Sequence, residues 1–159
     1  MPLYFLLSAV LVAVDQVVKY FVRLKISLFT MVDFLPGLSL TYVQNTGAAF
    51  SLLSDHTWLL TLLSAVVSVG LVVALGKRAL PRRRGMLALA LLLGGAVGNF
   101  IDRLLLGFVT DMFALTFVDF PVFNVADICV VAGGVLLCLE TFRLYSQKEN
   151  ADGEEDQTP

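Results

Sequence analysis

Twenty consecutive residues, Thr57 to Gly76, carry no charge, and they form one of four such apolar runs in a chain of only 159 residues. A helix rising about 1.5 Å per residue needs roughly 20 apolar residues to cross a bilayer core about 30 Å thick. The segments of about 3–22, 57–76, 86–106 and 122–142 meet that requirement. Hydrophobic residues make up 58% of the chain and charged residues 15%, against roughly 45–50% and about 25% in soluble domains. That leaves too little polar surface to clothe a water-soluble globule of this size. The same numbers exclude a disordered chain, a nucleic-acid binder and a disulfide-stapled secreted domain. The first run is a retained span and not a cleaved leader: it lacks a basic n-region and runs into Asp15 and Lys19. The expected fold is an all-α membrane core of four spanning helices.

Basic residues orient it. The turn between spans two and three holds Lys77, Arg78, Arg82, Arg83 and Arg84, whereas the segment of about 23–56 has only Arg23 and Lys25 and that of about 107–121 has none. Positive loops stay inside, so both termini are expected in the cytoplasm and the 23–56 and 107–121 segments on the outer face, with Tyr20 and Trp58 near the outer interface. The 23–56 segment contains FTMV, a Pro36-Gly37 turn and LSLTYV, which favours a small strand-rich element between spans one and two. Residues 1–148 form one membrane-embedded domain. Residues 149–159 hold five acids and no base, an acidic tail expected to be disordered. It leaves the rest of the chain with a net charge of +3. Cys129 and Cys138 lie nine residues apart in one run, roughly 13 Å along a helix and beyond disulfide reach.

Ionisable residues inside a bilayer are costly, by roughly 2.5–3.5 kcal/mol at its centre on insertion scales. Each therefore needs a reason. Asp15 and Lys19 stand at i,i+4 in the first span, which suits a self-compensating ion pair more than chemistry, although Lys19 could also snorkel outward. Asn99, Asp102 and Arg103 share one face of the third span, behind Gly94, Gly95 and Gly98, which permit close helix approach. An interhelical polar clamp accounts for them, with Asp102 and Arg103 satisfying each other or their neighbours.

Asp111, in GFVTDMF, and Asp127, in FNVAD beside Asn124, have no base at i±3 or i±4. Both fall near the outer interface. Two close carboxylates in a low-dielectric site share a proton, and the pair can activate water and protonate a carbonyl. Two separate interfacial acids is the other reading, because sequence alone does not bring them together. Rival chemistries are poorly supplied: His56 is the one histidine, and no GxSxG or HExxH string occurs. NTGAAFS at 45–51 reads first as a turn through Asn45 and Gly47, with the Asn45 amide available to hold a substrate backbone.

Together, DQVVK at 15–19, NTGAAFS at 45–51, GGAVGNFIDR at 94–103, GFVTDMF at 107–113 and FNVAD at 123–127 resemble the lipoprotein signal peptidases, or signal peptidase II. Val18 and Met112 depart from the family's usual residues at apolar positions beside the matched ones, and the acidic tail lies outside the resemblance. The resemblance implies an aspartic endopeptidase of the bacterial inner membrane that removes the signal peptide of diacylglyceryl-modified prolipoproteins just before the lipidated cysteine. It implies Asp111 and Asp127 as the catalytic dyad, with Asn45, Asn99, Asp102, Arg103 and Asn124 supporting the site or binding substrate. Asp15, Lys19 and Gly47 are implied as structural or supporting. The strand-rich cradle of that family corresponds to the 23–56 segment. The resemblance further implies no metal or cofactor, sensitivity to globomycin, and lipid-modified signal peptides and membrane lipids as partners; a monomer is expected, although the sequence does not fix the oligomeric state. The rival from another class is a small proton-coupled transporter carrying protons on Asp15 or Asp102. Against it, the charges inside the spans lie in the outer half save Glu140 near the inner end of the fourth, which leaves the inner half without a relay.

Overall fold

The computed structural model describes residues 1–47 and 57–155. The elements run α1 (Pro2–Lys25), β1 (Met31–Leu35), β2 (Leu38–Asn45), α2 (Thr57–Gly76), α3 (Arg83–Leu106), β3 (Val109–Leu115) and α4 (Val125–Glu155). All four helices are long and apolar enough to cross a membrane. His56 and residues 48–51 of the NTGAAFS string lie outside the described residues, as do residues 156–159.

Helix α1 is amphipathic in the sense opposite to that of a helix in a soluble bundle. On α1 the buried residues are Ser8, Asp15, Lys19 and Val22, while Leu3, Leu6, Val10, Val14, Val17, Phe21 and Leu24 face outward at helical spacing. Apolar side chains gain nothing by leaving lipid for the interior, so the polar groups, which need partners, take the inside.

Helix α3 occupies the middle, packed against α1, α2 and α4. Its buried positions include Gly85, Ala88, Ala90, Gly94, Gly95 and Gly98, small residues that let neighbouring backbones come close. Gly95 is the tightest, with the Ala126 carbonyl and Val130 of α4 standing where a Cβ would be, and Gly98 is nearly as close. A Cβ at Gly98 would lie 2.7 Å from the Asp15 carboxylate and 3.2 Å from Ala126 Cβ.

The sheet has antiparallel order β1-β2-β3. Gly37, with φ +84°, turns the β1–β2 hairpin at the expected Pro36-Gly37 position. Gly107, with φ +78°, ends α3 in the left-handed conformation and sends the chain directly into β3. The strand-rich element is therefore larger than the 23–56 segment. Its third strand comes from between α3 and α4, and its register sets Val43 opposite Asp111 and Asn45 opposite Val109. The sequence does not disclose this pairing of 109–115 with the 23–56 segment, because strand pairing between distant segments leaves no local trace.

At the far end, α4 continues past the expected limit near 142, and its backbone is helical through residues 149–155, where composition favours disorder. Elongating an existing helix needs no new nucleation, so a polar segment can follow an apolar span as one rod. Cys129 and Cys138 on α4 are free thiols.

Candidate active site

The start of α4 is built by two side chains that cap each other. Asn124 Oδ1 accepts from the Asp127 backbone N–H at 2.9 Å, and the Asn124 N–H donates to Asp127 Oδ2 at 3.1 Å. This is a reciprocal capping box, with Asn124 as the cap and Asp127 three residues on. It explains why FNVAD stands at a helix start, and it fixes the Asp127 carboxylate against the helix terminus.

Asp111 is carried on β3, whose first four residues are buried. Its neighbour diagonally across the ladder is Asn45, and Asn45 Nδ2 donates to Asp111 Oδ2 at 2.9 Å. The Asn45 carboxamide is held in that orientation by its own turn, since the Gly47 N–H donates to Asn45 Oδ1 at 3.0 Å. Asn124 Nδ2 donates to the other oxygen, Asp111 Oδ1, at 2.6 Å. Asn99 Nδ2 donates to Asp127 Oδ1 at 2.8 Å. Both oxygens of both carboxylates thus accept from an amide, and Asn124 bonds to Asp111 and Asp127 alike. Among the described residues no Lys or Arg forms an ion pair with either acid.

Burial pushes the Asp111 carboxyl up to about 6, and the nearby Asp127 carboxylate adds to the rise; the Asn45 and Asn124 amides and the Lys19 charge work against it. An acid with a raised affinity for protons beside a second carboxylate is an arrangement able to exchange one proton between them.

The pair opens on a cavity of about 780 Å³. Its polar end holds Asn45, Asn99, Arg103, Asp111 and Asp127, and its apolar wall runs along α4 through Ile128, Val130 and Val131, with Phe120 and Phe123 at one side. Arg103 reaches out of α3 to the Gly47 carbonyl, with Nη2 donating at 3.1 Å, while its Nε is buried with no partner among the described residues.

Behind the carboxylates lies a second cluster. Lys19 is fully buried, 2.8 Å from Asp15 and 3.4 Å from Asp102, and donates to Asn99 Oδ1 at 2.9 Å. The i,i+4 ion pair read from the sequence is present, but Lys19 does not snorkel: two acids and an amide oxygen hold it inside. Asp102 and Arg103 do not satisfy each other either. Adjacent residues on a helix diverge by about 100°, so Asp102 turns to α1 and Arg103 to the cavity.

Gln16, Arg23 and Thr110 also take part, none of them among the expected site residues. Gln16 Nε2 bonds to Asp15, Asp102 and the Gly98 carbonyl at 3.0–3.2 Å. Arg23 Nη1 donates to Thr110 Oγ1 at 2.9 Å and approaches Asp102 at 3.9 Å. Arg23 alone was foreseeable, since it continues the i,i+4 row of Asp15 and Lys19 onto the same face.

Comparison with known proteins agrees with this architecture. The family described as "Signal peptidase (SPase) II" matches residues 7–143. The chain is 41% identical over 151 residues to the lipoprotein signal peptidase of Enterococcus faecalis, covering 94% of this chain and 92% of that protein. It is 40% identical over 152 residues to that of Haemophilus ducreyi, covering 92% and 93%. A bacterial membrane enzyme solved by the in meso method at 2.3 Å superimposes with a TM-score of 0.87 at 30% identity, over 93% of this chain and 92% of the other. Four membrane-capable helices, one small sheet and a match along most of the length make this chain a multi-pass membrane protein of the lipoprotein signal peptidase (signal peptidase II) family.

Proposed function

We propose that the protein is an aspartic endopeptidase that cuts diacylglyceryl-modified prolipoproteins just before the lipidated cysteine, with Asp111 and Asp127 as its dyad. The observation that carries this reading is the bridging of the two carboxylates by Asn124 at the polar end of an apolar cavity. One carboxylate is ionised and takes a proton from water as the water oxygen attacks the scissile carbonyl carbon. The other is protonated and gives its proton to the carbonyl oxygen. Collapse of the resulting diol breaks the C–N bond, and the departing amine takes up a proton from the dyad. The raised proton affinity of Asp111 favours it as the acid in the first step.

The signal helix enters from the lipid along the α4 wall of Ile128, Val130 and Val131, leaving the acyl chains in the bilayer. Asn45 and Arg103 stand where they can hold the extended peptide at the scissile bond. The basic α2–α3 turn supports an orientation with both termini in the cytoplasm and the dyad near the outer face of the bacterial inner membrane. No step in this chemistry requires a metal or cofactor.

The test is a gel-shift cleavage assay in detergent with a diacylglyceryl-modified prolipoprotein. Wild type cuts, and folded Asp111→Asn and Asp127→Asn do not. Cleavage by both variants would remove the dyad from these positions.

A further inference from the structure

We propose that Asp15 and Asp102 are positioning residues, each holding the backbone one residue ahead of a dyad aspartate, and that Lys19 ties the two arms into one clamp. The proposal rests on the aspartic reading above and deepens it. Asp15 Oδ1 accepts from the Ala126 backbone N–H at 2.9 Å, and Ala126 precedes Asp127. Asp102 Oδ2 accepts from the Thr110 backbone N–H at 2.9 Å, and Thr110 precedes Asp111. Consecutive Cα atoms are about 3.8 Å apart, so each arm fixes its aspartate from one residue away.

The two arms meet on one cation. Lys19 Nζ lies 2.8 Å from Asp15 Oδ2 and 3.4 Å from Asp102 Oδ2, and Gln16 Nε2 bridges the same two carboxylates at 3.2 Å each. Lys19 also donates to Asn99, whose amide holds Asp127.

The arrangement answers a geometric problem. Asp111 belongs to a sheet and Asp127 to a membrane helix, so their alignment depends on contacts between two different elements. The bond from Asn124 to Asp111 joins the side chains, and backbone bonds between Phe113 and Phe123 join β3 to the lead-in of α4, which leaves the residues at 110 and 126 to be held from elsewhere. A cluster anchored on α1 and α3 holds both. Asp15 gains the room to reach α4 because Gly98 has no Cβ. None of Asp15, Lys19 or Asp102 lines the cavity, so substrate contact does not account for them. A charged cluster is also a poor choice for packing alone, because apolar residues of similar volume hold helices together without burying charge.

The experiment measures kcat and KM for a diacylglyceryl-modified prolipoprotein with full-length enzyme in detergent. The variants are Asp15→Asn, Asp15→Ala, Asp102→Asn, Asp102→Ala and the charge-balanced double variant Lys19→Met with Asp15→Asn. Asp111→Asn and Asp127→Asn run beside them, with active-site titration and thermal unfolding of each. The clamp predicts that kcat per active site falls about 10- to 100-fold in the Ala variants while KM stays within about twofold. It also predicts a smaller loss in the Asn variants, whose Oδ1 still accepts the backbone N–H. Hydrogen exchange should speed up at Ala126 with the Asp15 variants and at Thr110 with the Asp102 variants. Where an Ala variant does not fold, the Asn variant and the exchange rates decide. Folded variants with wild-type kcat, or a loss only in the fraction of active enzyme, would overturn the clamp and leave the dyad standing. Cleavage by the dyad variants would instead sink the aspartic reading itself.

Discussion

Asn124 is the residue on which most of the site depends, because it ends a helix and aligns an acid with the same side chain. Replacing it with Ala removes the cap on the Asp127 N–H and the amide on Asp111 Oδ1. Loss of an N-cap costs about 1 kcal/mol. We expect Asn124→Ala to unfold a few degrees lower and to lose at least about tenfold in kcat, which thermal unfolding and the cleavage assay would read separately. The proton is the other residue-scale variable. Burial raises the Asp111 carboxyl to about 6, so as pH climbs past that value the free enzyme loses the proton its acid must donate. The expected kcat/KM therefore falls on the alkaline side of about 6. A signal helix filling the cavity excludes more water and moves the corresponding limb of kcat to higher pH. A kcat/KM that stays flat from mildly acidic to alkaline pH would remove Asp111 from that role. Sequence reading finds Asp111 and Asp127 because they are charged where charge is expensive and have no local partner. It does not find Thr110, whose contribution is a backbone N–H that any residue but proline could donate.

Among the elements, α3 bears the closest packing, at Gly95 against α4 and at Gly98 between α1 and α4. A methyl group at Gly98 meets the Asp15 carboxylate and Ala126 at once, while a methyl at Gly134 on α4 meets nothing within 4 Å. Gly98→Ala should destabilise by about 1–3 kcal/mol, the usual penalty of overpacking, and should lower kcat by disturbing the α1–α4 contact. Gly134→Ala should leave both unchanged. Thermal unfolding of the two variants side by side checks the contrast. The spans themselves were legible from hydropathy to within a few residues, since bilayer thickness imposes a length that composition cannot disguise. The sheet was only half legible. The β1–β2 hairpin announces itself through Pro36-Gly37, but its pairing with β3 joins segments some 70 residues apart, and no periodicity encodes which strands will meet.

Across the whole molecule, polarity is sorted into two ends of the bundle. One end carries the dyad and the Lys19 cluster. The other carries Glu140, buried to 3% exposure on α4, with Arg82 Nε 3.5 Å away and Arg82 also donating to Gln147 at 2.6 Å. Asp127 and Glu140 stand thirteen residues apart on one helix, roughly 20 Å. Glu140→Gln should therefore lower thermal stability by about 1–3 kcal/mol and leave kcat unchanged; a matching fall in kcat would mean that the two ends communicate. What the sequence by itself determined is the solvent and where to look for a site. Four apolar runs of bilayer length require a membrane, five bases in one turn favour an orientation, and acids without local partners mark a site, because each of these is a free-energy cost readable from residue type and spacing. Only the tertiary structure decided which groups answer which. It made Lys19 a buried hub instead of a snorkelling surface charge, parted Asp102 from Arg103, and brought α1 to the backbone on which Asp127 sits. Hydrogen bonds are satisfied by whatever donor the packing delivers, and packing between distant segments is a property of the folded chain, not of its local sequence.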